Sequence, residues 1–109
     1  DEIIDVLKSE KGILLIDSVG GFVMKGLSMN MNEWDDYKKN LINCLINYKN
    51  TLIIVGEQVG WGLVSEYKVS NLFADRLGEI MNCITKIADN NWLTINGKAL
   101  RLDDIFIDI

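Results

Sequence analysis

The chain has 109 residues, 49% hydrophobic and 25% charged, which fits one modest α/β-sized domain over residues 1–109 and leaves too little chain for two. Its 16 acidic residues outnumber the 11 basic ones, and the net charge of -5 excludes the basic footprint that a nucleic-acid partner requires. No apolar run approaches the ~20 residues that span a bilayer, and no histidine is present, which removes His-based general-base chemistry and His-ligated metals from these residues.

The acidic, amphipathic start "DEIIDVLKSE" is not a signal peptide, so a cytoplasmic location is the expectation. Residues Asp1 to Glu10 are expected to form a short helix with Ile3, Ile4, Val6 and Leu7 on its apolar side. The chain opens on Asp rather than Met, and no strand precedes this helix. Both features suggest a fold incomplete at its amino terminus. "GILLID", Gly12 to Asp17, is a continuous apolar run of the kind expected for a strand buried on both faces. A loose segment follows, with a helical turn expected from Phe22 to Leu27.

Met31 to Asn50 reads as a helix, because Trp34, Tyr37, Leu41, Leu45 and Tyr48 recur at three- and four-residue steps. Asn32 is the expected cap. "TLIIVG", Thr51 to Gly56, predicts a second buried strand, and a loop with glycines at Gly56, Gly60 and Gly62 comes next. A long helix is expected from about Tyr67 to Asp89, with Asp75, Arg76 and Glu79 on its solvated face. "NWLTING" predicts a third strand. Leu100 to Ile109 suggests an edge strand whose acids Asp103, Asp104 and Asp108 discourage pairing. Cys44 and Cys83 lie among apolar neighbours and read as inert thiols rather than a disulfide.

Strand, helix, strand, helix, strand predicts an α/β fold: an open, mostly parallel sheet with helices on both faces, completed by upstream strands. Ligands of such sheets bind beyond the carboxyl ends of the strands. Asp17 ends an apolar strand in the form of an acid that holds Mg²⁺ beside a nucleoside triphosphate, or it simply starts a turn. The Gly56–Glu66 loop is either a binding loop or a turn without ligand. Its GxxxGxG spacing is not a dinucleotide fingerprint, and GxxxxGK[ST] does not occur in the chain.

Four blocks of sequence carry a more specific signal. "LLIDSVGGF" resembles a family strand that ends Val-Asp-Cys-Leu-Thr, with Asp17 at the acid and Ser18 at the cysteine. "VGEQVGWGLVS" is similar to Val-Ser-Asn-Glu-Val-Gly-Xaa-Gly-Val-Val-Pro, with Val55, Val59, Gly60, Gly62 and Val64 in place. "NLFADRLGEIMN" resembles a helix motif in Phe73, Asp75 and Gly78, and Ala88-Asp89 and Asn96-Gly97 flank the next strand as in that family. These blocks resemble the adenosylcobinamide kinase / adenosylcobinamide-phosphate guanylyltransferase family of cobalamin biosynthesis, from about Gly12 to Leu102. The departures are Glu57 for asparagine, Gln58 for glutamate, Ser65 for proline, and Asn71, Leu72 and Ala74 for three arginines. The motif's closing Asn-Gln pair reads Met81-Asn82.

The resemblance implies a P-loop (RecA-like) nucleotide-binding fold of which this chain is the carboxyl-terminal portion, inactive alone. The family's P-loop and its guanylyl-carrying histidine precede the matched region. It implies ATP, GTP and Mg²⁺ as cofactors, adenosylcobinamide as substrate and a homo-oligomer. Asp17 and Ser18 would meet the nucleotide, with Asp17 on the metal. Glu57, Gln58, Gly60, Trp61 and Gly62 would form a wall of the nucleotide and corrinoid site, Trp61 packing on a flat ligand, a neighbouring subunit or the core. Two other readings stand beside it. One is a non-catalytic relative that lost the P-loop half, which the missing histidine and the Glu57-Gln58 pair favour. The other is a fragment of an unrelated P-loop NTPase.

Overall fold

A computed structural model describes residues 2–57 and 68–104 of the chain. The elements run α1 (Glu2–Ser9), β1 (Leu14–Asp17), α2 (Gly20–Lys25), α3 (Met31–Asn47), β2 (Leu52–Val55), α4 (Lys68–Ile87), β3 (Trp92–Ile95), β4 (Lys98–Arg101) and a 3-10 turn at Leu102–Asp104.

Strands β1 and β2 pair in parallel, Leu14 opposite Leu52 and Asp17 opposite Val55. Parallel neighbours need a long crossover, and α2 with α3 supplies it. The start of this pair is pinned from outside. The Tyr48 hydroxyl donates to the Gly12 carbonyl at 2.5 Å, and the Asn50 amide donates to the Lys11 carbonyl at 3.2 Å. Helix α3 therefore ends at Asn47, earlier than its apolar periodicity suggests, because Tyr48 turns extended to make that bond. Its start is a capping box. Asn30, not Asn32, accepts from the Glu33 N–H at 2.9 Å, while Glu33 accepts from the Asn30 N–H at 3.0 Å.

The expected sheet of three or four strands with helices on both faces is corrected in two ways. Among the described residues β1 and β2 form a two-stranded sheet, while β3 pairs antiparallel with β4 as a separate hairpin. The turn chemistry explains the hairpin: Asn96 and Gly97 both have positive φ, 51° and 76°, as a two-residue turn that reverses a strand requires. Moreover, the parallel strands are not buried on both faces. Leu14, Ile16, Leu52 and Ile54 pack on the core, whereas Leu15, Ile53 and Val55 on the other face are exposed. The acids near the chain end do not serve as edge charges alone. Asp103 accepts from the Asn91 backbone N–H at 2.8 Å and so ties the turn after β4 to the start of β3.

The core lies where α1 packs on α3, and where α2 and α3 pack on α4. Phe22, Val23, Trp34, Leu77 and Ile80 are fully buried, each worth roughly 1.5–3 kcal/mol of transfer free energy. Phe22 stacks on Tyr37 with ring centroids 3.9 Å apart, and Trp34 tilts against both. Cys44 and Cys83 are free and half-buried.

Arg76 departs furthest from expectation. It is 4% exposed, not on a solvated face. Its guanidinium donates to the carbonyls of Gly26 at 2.5 Å and Met29 at 2.9 Å, and lies over the Trp34 ring at 5.2 Å. The Trp34 indole N–H and the Lys38 ammonium both donate to Glu79, one turn along α4, at 3.0 and 3.2 Å. Gly26 is confined by the same cluster, since a Cβ there would come within 2.7 Å of the buried Trp34 ring.

Three outcomes follow from this cluster. Arg76→Ala strands two loop carbonyls and should cost about 3 kcal/mol, read as a lowered urea midpoint with an unchanged slope. Gly26→Ala should cost roughly 1–3 kcal/mol by overpacking, read as a fall in Tm. The Trp34 indole N–H, and after it Lys38, holds the Glu79 carboxyl below its ordinary value of 4.5. A depressed carboxyl stabilises the fold above the unfolded value, and that stability is lost as pH falls through the folded one. Unfolding midpoints measured from pH 6 to 3 should therefore decline less steeply in Glu79→Gln than in the parent.

Candidate functional site

Parallel pairing places the carboxyl ends of β1 and β2 side by side, and the chemistry-bearing residues of the described chain meet there. Asp17 is the last residue of β1, exposed at the sheet end. Ser18 follows it across a cis peptide bond and is half-buried. Glu57 lies two residues past the end of β2. The Ser18 hydroxyl donates to the Glu57 carboxylate, and the Val19 N–H donates to the Val55 carbonyl at 3.1 Å. These bonds close the two strand ends onto each other.

Close approach explains two glycines here. The Glu57 carboxylate sits over Gly20, at the start of α2, where a Cβ would lie 2.8 Å from one of its oxygens. Gly56 sits against the thioether of Met81 on α4, which a Cβ would meet at 2.3 Å. Gly56 thus leaves room for the end of the Met81 side chain, which any side chain at this position would displace.

Of the seven residues singled out by sequence, the structure brings Asp17, Ser18 and Glu57 to one edge. Gln58, Gly60, Trp61 and Gly62 lie outside the described residues. Sequence reasoning missed the bond between the Glu57 carboxylate and the Ser18 hydroxyl. It also missed Arg76, which carries no chemistry at this edge but holds the loop after α2.

Among the described residues the edge offers three oxygen-bearing side chains: the Asp17 carboxylate, the Ser18 hydroxyl and the Glu57 carboxylate. Among the described residues no group of three or more His, Cys, Asp or Glu could hold a metal alone. That donor set suits Mg²⁺, which takes one or two carboxylates and completes its shell with water and substrate phosphates. No helix of the described residues is long and apolar enough to cross a membrane.

No curated protein matches the chain. The model of the family described as cobinamide kinase / cobinamide phosphate guanyltransferase matches residues 1–102, which takes in both parallel strands, Asp17, Ser18 and Glu57. With nearly the whole sequence inside that match, the chain belongs to the cobinamide kinase / cobinamide phosphate guanyltransferase family.

Proposed function

We propose that the protein acts in cobalamin biosynthesis on the aminopropanol arm of adenosylcobinamide, phosphorylating it from ATP or GTP and then transferring GMP from GTP to that phosphate. The family match over residues 1–102 carries this reading. The position of Asp17 at the end of a parallel strand supports it.

In this reading Asp17 and the Ser18 hydroxyl hold Mg²⁺ or its bound water. When bound, the ion neutralises phosphate charge, which is the larger part of phosphoryl-transfer catalysis. Asp17 itself does no covalent chemistry. It fixes a negative charge at the sheet edge, so that nucleotide enters there only with a cation. Gln58, Gly60, Trp61 and Gly62 belong to the same proposal as the wall that meets nucleotide and corrinoid. The 109 residues contain no GxxxxGK[ST] and no histidine, so the phosphate-cradling loop and a histidine guanylyl carrier come from outside them, and these residues alone turn nothing over. The absence of histidine also favours a second reading, a binding or assembly relative without catalysis.

Chromatography of corrinoids after incubation with Mg²⁺, GTP and adenosylcobinamide separates the two readings. The native gene product should form the phosphate and then the GDP derivative, whereas the 109-residue chain forms neither. Asp17→Asn should slow the first step by on the order of 100-fold, as loss of a group that stabilises transition-state charge does. An unchanged rate in Asp17→Asn would remove Asp17 from the site. Corrinoid binding by the native gene product without any product would favour the second reading.

A further inference from the structure

Glu57 is exposed, yet its carboxylate is engaged: it accepts from the Ser18 hydroxyl and rests over Gly20, so it contacts the turn that leaves β1. Among the described residues that turn is held as well by the 3.1 Å bond from the Val19 N–H to the Val55 carbonyl. Side chain and backbone thus fasten Ser18 to Glu57, just past the end of β2, and Val19 to Val55 at its end, and Ser18 is bonded directly to Asp17 in sequence. Gly20 is what makes room: with any Cβ there, the Glu57 carboxylate would have to move.

We propose that Glu57 is a positioning residue: through Ser18 it fixes the Asp17 turn at the sheet edge, and Gly20 is kept side-chain-free so that it can. The proposal rests on the reading of that edge as a Mg²⁺-nucleotide site. It changes the part given to Glu57, from a wall that touches ligand to a latch that acts behind Asp17. The carboxylate is a stronger partner for the Ser18 hydroxyl than a neutral amide, because a charged acceptor roughly doubles the strength of a hydrogen bond.

The test is calorimetric titration of Mg·GTP into the native gene product and four variants, Glu57→Ala, Glu57→Gln, Ser18→Ala and Gly20→Ala, with urea unfolding alongside. Glu57→Ala should weaken binding about tenfold, the size of one charge-assisted hydrogen bond. Glu57→Gln keeps an oxygen that accepts from Ser18 and should stay within about threefold of the parent. Gly20→Ala should weaken binding like Glu57→Ala while leaving the urea midpoint unchanged or higher, because only a side-chain end must move and alanine favours helix over glycine. A fifth, double variant, Ser18→Ala/Glu57→Ala, should bind no worse than the weaker-binding single one, since Glu57 acts only through Ser18.

Equal losses in Glu57→Gln and Glu57→Ala, or losses that add in the double variant, would overturn the latch by showing that Glu57 meets the ligand itself. Parent-like binding in Gly20→Ala and Glu57→Ala would overturn the latch and leave the nucleotide site standing. A parent protein that does not bind Mg·GTP overturns the nucleotide reading, and the positioning role falls with it.

Discussion

The buried guanidinium of Arg76 is the constraint on which the rest of this fold depends. Burying a permanent cation against the Trp34 ring carries a desolvation cost that only well-placed partners offset. Two loop carbonyls, from Gly26 and Met29, and the face of Trp34 supply those partners. A single side chain from α4 thereby defines where α2 ends, how the loop to α3 bends and where Trp34 sits. Since Trp34 also donates to Glu79, α3 and α4 are joined again one turn further on. A lysine would not serve here, because it lacks the planar fork that reaches two carbonyls while lying flat on an indole.

That anchoring acts at one end of α2, and the strand ends act at the other. Helix α2 is only six residues long, so its geometry comes from its attachments and not from helix propensity. Gly20 at its start meets Glu57, two residues past β2, and Gly26, which caps its end, meets Trp34 and Arg76. The turn that carries Asp17 and Ser18 is therefore continuous with a short rigid element fixed at both ends. A phosphoryl-transfer site benefits from such rigidity, because its catalysis is mostly positioning.

Much of this architecture is legible in the sequence, and the misses have physical causes. The helices α1, α3 and α4 and both parallel strands follow from the spacing of apolar residues, which reports what each element buries. Continuous apolar strands suggested cover on both faces. Apolar composition states only that a face is suited to burial, and Leu15, Ile53 and Val55 remain exposed among the described residues. The hairpin was written in Asn96-Gly97, a strong two-residue turn signal that was read instead as the end of a strand. Asn30 and Glu33 likewise have capping-box spacing, which outranks Asn32 as a cap. Arg76 was assigned to solvent by residue type, although it lies three residues after Phe73 and four before Ile80, within the apolar stripe. At the candidate site, Asp17 and Ser18 were visible as a strand-end motif. The bond between Ser18 and Glu57 was not, because it depends on a meeting of residues 39 apart in sequence.

The environments of the tryptophans give the molecule a built-in optical contrast. Trp34 is 1% exposed within the Arg76 cluster, while Trp92 on β3 is 57% exposed. An indole in an apolar, dry setting emits at shorter wavelength than one in water, and a dissolved quencher such as iodide reaches only the latter. With Trp61 replaced by phenylalanine, the two emissions separate, one belonging to the helical core and the other to the hairpin. Loosening around the buried arginine then becomes visible as a red shift and a gain of quenching in the blue component alone, with the hairpin serving as its internal reference.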